Sequence, residues 1–97
     1  MRYLVNIQPT INAGKKMIKD LKSIQYLESY IKKINGESAY FYEFEGRKTF
    51  EFVIDVPKGS HVSDVAEPMF KKFDARITFQ PVRTLDELKK SVSKNKK

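Results

Sequence analysis

Ninety-seven residues fit one domain with a single core, because domains run to roughly 100–200 residues and a chain this short hides about two-thirds of its surface on folding. An apolar fraction of 40%, with 32% charged and 12% aromatic residues, marks a folded chain rather than a disordered one. The chain has no cysteine and one histidine, His61, so it has no disulfide framework and no thiolate or multi-histidine metal set. No run approaches the roughly 20 apolar residues of a membrane span, and the apolar run near the N-terminus is too short for a signal peptide. The expectation is a cytoplasmic protein with no metal, no cofactor and no membrane association.

Nineteen basic against twelve acidic residues leave a formal charge of +7. Residues 89–97, KKSVSKNKK, hold five lysines and no acid, so residues 1–88 carry only +2, 14 basic against 12 acidic. The chain therefore reads as one domain over 1–88, followed by a lysine-rich tail or helix end over 89–97. Such a segment can attract phosphates, or it can simply solubilise a helix end. Lys15, Lys16, Lys19 and Lys22 form a second basic group, with Asp20 as its one acid, and read as a solvated helix face.

Residues 2–8 form a β-prone run closed by Pro9, which cannot donate to a ladder. From Thr10 or Asn12 as N-cap, Met17, Ile18, Leu21, Ile24, Leu27, Ile31 and Ile34 recur at steps of three and four, which predicts one helix of about six turns. Asn35-Gly36 ends it, with Gly36 expected in the left-handed conformation. Residues 38–44 and 49–56 are aromatic and β-branched and read as a hairpin around residues 45–48. Pro57-Lys58-Gly59 breaks the second of these strands, and Ser60 can cap a helix whose stripe is Val62, Val65, Ala66, Met69, Phe70 and Phe73. Pro68 within it predicts a kink or two short helices. Residues 75–82 give a fourth strand, and Thr84 can cap a terminal helix.

The order β-α-β-β-α-β plus a C-terminal helix is the α+β, ferredoxin-like pattern: a four-stranded antiparallel sheet with both main helices on one face. Alternation then divides the strands into two faces. Tyr3, Val5, Ile7, Phe50, Phe52, Ile54, Val56, Ile77 and Phe79 make an apolar face for the helices. Leu4, Asn6, Gln8, Glu51, Val53, Asp55, Arg76, Thr78, Gln80 and Val82 make a mixed face. Residues 45–48 leave open whether Tyr40, Tyr42 and Phe44 or Ala39, Phe41 and Glu43 join the mixed face. Either way an aromatic lands there, which suits burial against a second copy, with Leu4, Val53 and Val82 at the interface.

This arrangement, with the stretch Gly46-Arg47-Lys48-Thr49-Phe50-Glu51-Phe52-Val53-Ile54-Asp55, Pro68, Pro81-Val82 and Asp86-Glu87-Leu88, resembles the dimeric α/β-barrel superfamily over nearly the whole chain. It is similar to short members with a Gly-Arg-Gly turn before an apolar strand and a Pro-Val closing strand four; here Lys48-Thr49 replace the usual glycine. The resemblance implies two sheets packed face to face in a homodimeric barrel. It also implies a range of activities, from cofactor-independent monooxygenases, muconolactone isomerase and haem enzymes to proteins without a known reaction.

In such a dimer Asn6, Glu51, Asp55, Arg76 and Gln80 would line the enclosed space or its rim, and converging polar groups there suit a small-molecule ligand. A desolvated Glu51 could act as general base, with Arg76 holding an anionic group. His61, at the start of the second helix, is the other catalytic candidate. The competing reading is that Glu51, Asp55 and Arg76 form cross-strand or inter-subunit ion pairs that fix register, and that His61 is a solvated helix end. His61 lacks the apolar helix face expected of a haem ligand. No nucleophilic triad spacing and no phosphate-binding glycine loop occur. An RNA-recognition reading would need Tyr3, Phe50 and Phe52 to face outward, which would bury Asn6, Glu51 and Asp55 beneath the helices. The expected function is thus a non-catalytic homodimeric module for small-molecule binding or assembly. The alternatives are a cofactor-independent monooxygenase or isomerase acting on a small aromatic or lactone-like substrate, and an RNA-binding domain.

Overall fold

In the computed structural model, which describes residues 2–56 and 62–95, four antiparallel strands form one sheet in the order β2-β3-β1-β4. The elements are β1 (Arg2–Pro9), α1 (Ile11–Met17), α2 (Leu21–Lys33), β2 (Glu37–Phe44), β3 (Arg47–Asp55), α3 (Val62–Phe73), β4 (Ala75–Pro81) and α4 (Leu85–Asn95). This is the ferredoxin-like α+β topology, and the sheet does not close on itself. The expectations for Ser60 and His61, and for the side chains of Val62, Val65, Met69 and Phe70, lie outside the described residues.

Alternation fixes the sheet as expected. Val5 pairs with Phe52 and Phe79, and Ile7 pairs with Phe50 and Ile77, so the apolar residues share one face. Val5, Ile7, Phe50, Phe52 and Ile54 are buried there with Met17 of α1, Leu27 and Tyr30 of α2, and Phe73 of α3. The Tyr30 ring meets Phe52 edge-on with centroids 6.4 Å apart, and Tyr26 meets Phe73 edge-on at 5.8 Å. Burial pushes the Tyr30 phenol up to about 12, with a smaller contribution from Tyr26.

The single long helix is corrected to two. Asp20 sits in extended conformation at φ −115°, and its carboxylate accepts from the Lys22 N–H at 3.2 Å and the Ser23 hydroxyl at 2.8 Å. It thereby caps a new helix in the middle of the apolar series. The break changes the phase of the stripe: Leu21 is 68% exposed while Met17 and Leu27 are buried. Thr10 is the N-cap of α1, accepting from the Ala13 N–H at 3.2 Å.

The end of α2 is also corrected in detail. Asn35, not Gly36, takes the left-handed conformation, with φ 57°. Gly36 N–H then reaches the Ile31 carbonyl at 2.8 Å and Asn35 N–H the Lys32 carbonyl at 3.1 Å, the paired bonds of a Schellman cap. Gly36 is required by packing, because a Cβ would stand 2.7 Å from Ile31 Cγ2 and 3.3 Å from Phe52 Cδ2.

The hairpin turn is shorter than residues 45–48. Phe44 pairs with Arg47, leaving Glu45 and Gly46 as a two-residue turn with φ of 51° and 79°, the backbone of a type I′ turn. A bulge follows from Ser38, at φ 51°, where the register shifts between Glu37 and Tyr40. Pro68 lies inside α3, which runs as one helix rather than two.

Candidate functional site

The β2–β3 register settles the face of strand two. Phe41 pairs with Phe50 on the helix side, and Tyr40, Tyr42 and Phe44 share the mixed face with Glu51, Thr49 and Arg47. Among the described residues, no helix packs on this face. Leu4 and Val53 pair directly at its centre, each half-buried by its neighbours, and Gln80 flanks Leu4 on the other side. Val82 lies just past β4, with its N–H on the Arg2 carbonyl at 3.1 Å.

Asn6, Tyr42 and Glu51 form one cluster across three adjacent strands. The Tyr42 hydroxyl donates to Glu51 Oε2 at 2.7 Å, and Asn6 Nδ2 lies 3.1 Å from the Tyr42 hydroxyl and 3.2 Å from the same Glu51 oxygen. The hydrogen bond to Glu51 is the main reason the Tyr42 phenol is raised above its ordinary value, since losing the proton would set two negative oxygens against each other. Beside this cluster Thr49 is fully buried, with Gln8 Nε2 3.4 Å from its hydroxyl, which in turn donates to the Arg47 carbonyl at 3.2 Å. Arg47 Nε is buried without a partner among the described residues.

The other sequence candidates do not converge with this cluster. Asp55 stands opposite Arg2 and Arg76 opposite Gln8, so six residues of β1, about 20 Å, separate them along the sheet. They cannot form an ion pair with each other inside one chain. Glu51 is held by neutral donors of Tyr42 and Asn6. The sequence leaves the face of Tyr42 open and does not place it among the site candidates; the two-residue Glu45-Gly46 turn is the available signal, because it fixes which parity of strand two shares a face with Glu51.

His61 lies outside the described residues. Tyr3, Phe50 and Phe52 point to the helix layer, with Tyr3 edge-on to Phe79 at 6.0 Å. Among the described residues, no group of three or more His, Cys, Asp or Glu side chains is placed to hold a metal ion, and no helix is long and apolar enough to cross a membrane.

No protein-family model matches the chain, and no curated protein matches it. Among solved structures, it is similar to a formyltetrahydrofolate deformylase from Pseudomonas putida KT2440, with a TM-score of 0.49 at 9% sequence identity over 84% of this chain and 28% of that one. The chain spans less than a third of that enzyme's length.

Proposed function

We propose that the protein is a non-catalytic assembly module that pairs with a second copy through the mixed face of its sheet, in the manner of a dimeric α/β barrel. The observation that carries this reading is the uncovered face itself. Leu4 and Val53 pair at its centre, with Tyr40, Tyr42 and Phe44 along the β2 edge, apolar and aromatic groups of the kind that monomers rarely leave in water.

The polar members of the face suit burial. Glu51 enters such an interface already carrying two hydrogen bonds, which lowers the cost of removing its carboxylate from water. Both bonds hold Glu51 Oε2 in the ionised, hydrogen-bonded form, which suits a role in tying β1, β2 and β3 together. Arg47 Nε is a donor that a partner or an enclosed small polar ligand could satisfy. A ligand-binding role would use the same enclosed space, with Asn6 and Tyr42 as its polar contacts.

Sedimentation equilibrium of the intact chain tests the reading. The expected result is a mass twice the 11.3 kDa of one chain, reversible on dilution. A single-chain mass persisting to about millimolar concentration, where even weak interfaces form, would remove the basis for the proposal.

A further inference from the structure

The hairpin end of the mixed face carries two arginines. Gln8 pairs with Arg76 of β4, and its Nε2 lies 3.4 Å from the Thr49 hydroxyl of β3, so Arg76, Gln8 and Thr49 form one row across three adjacent strands. Arg47 stands one pleat beyond Thr49 on the same face, opposite Phe44 of β2. Two strand spacings and one pleat put the Arg47 and Arg76 Cα atoms about 12 Å apart, a gap that two arginine side chains can close toward a point above Gln8.

Neither guanidinium is answered within the chain. Among the described residues the ion pairs join Arg2 to Glu37, Lys48 to Glu43 and Lys71 to Glu67, and none of them uses Arg47 or Arg76. Glu51, the acid further along β3 on this face, is two pleats from Arg47, and its Oε2 accepts from Tyr42 and Asn6. Asp74, two residues before Arg76, lines a groove with Thr10, Met17 and Lys72 on the helix side instead. Arg47 Nε is buried without a partner, a condition that folded chains rarely leave in a charged donor.

The row offers donors in excess. Both guanidiniums only donate, and their planar forks match the paired oxygens of a carboxylate or a phosphate. The Gln8 amide adds a further N–H between them. Thr49 is fully buried and its hydroxyl donates to the Arg47 carbonyl at 3.2 Å, which fixes the backbone from which Arg47 projects. Beside Arg47, the Phe44 ring is 53% exposed and offers an apolar surface to whatever carries the anion.

We propose that Arg47, Arg76 and the Gln8 amide bind the oxyanion of a small organic acid, a carboxylate or a phosphate monoester, whose apolar body lies against Phe44. The site is complete within one chain and does not rest on the pairing proposed above. Leu4 lies two pleats from Gln8 along β1, so the centre of the pairing face stays free.

NMR titration of the intact chain with acetate, benzoate and phenyl phosphate tests the site. Benzoate or phenyl phosphate should shift the amides of Gln8, Arg47, Thr49 and Arg76 together with the Arg47 Nε–H signal, and the tighter of the two identifies the oxyanion as carboxylate or phosphate. Arg47→Gln and Arg76→Gln should each weaken binding by about tenfold, the loss expected for a hydrogen-bonded charge. Arg76 is exposed on an edge strand, so Arg76→Gln keeps the fold even where Arg47→Gln disturbs the turn. Arg47→Lys keeps the charge but loses Nε and the fork, and should weaken binding nearly as much. Phe44→Ala should bring benzoate down to the level of acetate. Val53→Lys leaves all three polar groups in place and should bind as the wild type does, whether or not it pairs, so a failure of the pairing and a failure of this site read separately. Affinity unchanged in Arg76→Gln and Arg47→Lys, or shifts confined to the lysines of α4, would reduce the binding to attraction by a basic chain and overturn the site. An absence of shifts at about 10 mM, where weak sites fill, would overturn it as well.

Discussion

Tyr42 and Glu51 face each other across β2 and β3, the phenol donating to the carboxylate at 2.7 Å while Asn6 reaches both from β1. The cluster ties an edge strand to the two central strands on the mixed face of the sheet.

This pair has a signature in alkaline titration. The raised pKa of Tyr42 means that the folded state favours the neutral phenol, so the stabilisation is complete below the ordinary tyrosine value and is lost as pH rises through the raised one. Glu51→Ala should return one tyrosine of the ultraviolet titration to its ordinary range and leave the late step of Tyr30, at about 12, in place. Because the Tyr42 hydroxyl is accessible, Tyr42→Phe should cost under about 1 kcal/mol in a urea melt. An unchanged titration in Glu51→Ala would show that the hydrogen bond does not form in solution.

Gly36 predicts a larger effect from a smaller change. Gly36→Ala forces a methyl to within 2.7 Å of Ile31 Cγ2 and 3.2 Å of the Ile31 carbonyl, beside the fully buried Phe52 ring. The C-terminal turn of α2 must then shift off β3, with an expected loss of about 1–3 kcal/mol. Chemical denaturation measures it directly; a loss below about 0.5 kcal/mol would mean that the turn relaxes without disturbing the core.

Much of the fold was legible in the sequence because strand parity and burial obey one rule. Val5, Ile7, Phe50, Phe52 and Ile54 lie under the helices where alternation puts them. The break between α1 and α2 was hidden because Met17, Ile18 and Leu21 fit a continuous helical stripe, and the decisive residue, Asp20, acts through its own capping bonds and not through periodicity. The face of β2 was hidden for a different reason. A glutamate at the first position of the Glu45-Gly46 turn is an uncommon choice for φ > 0, and without the turn length the parity of Tyr42 is undetermined. The inward rings of Phe50 and Phe52 are the opposite of the outward arrangement that an RNA-recognition reading needs.

Helix α4 begins with a capping box that should respond to acid. Glu87 N–H donates to the Thr84 hydroxyl at 3.1 Å, and Thr84 N–H donates to the Glu87 carboxylate at 3.2 Å, which holds the Glu87 pKa below its ordinary value. The capping contribution is complete above the ordinary glutamate value and is lost as pH falls through the lowered one. Thr84→Ala should reduce amide protection over the first turn of α4 and leave the sheet amides unchanged, because α4 stands apart from the core. Hydrogen exchange followed by NMR reads both; loss of protection spreading through β1 and β3 would contradict that independence.

The most direct test of the pairing face is the mass of Val53→Lys. Val53 lies beside Leu4 at the centre of the mixed face, its side chain away from the helix core, so a lysine there leaves the fold intact while placing a charge in the proposed interface. Pairing through this face gives Val53→Lys a native circular dichroism spectrum and single chains at concentrations where the wild type is paired; association as tight as that of the wild type would rule the face out.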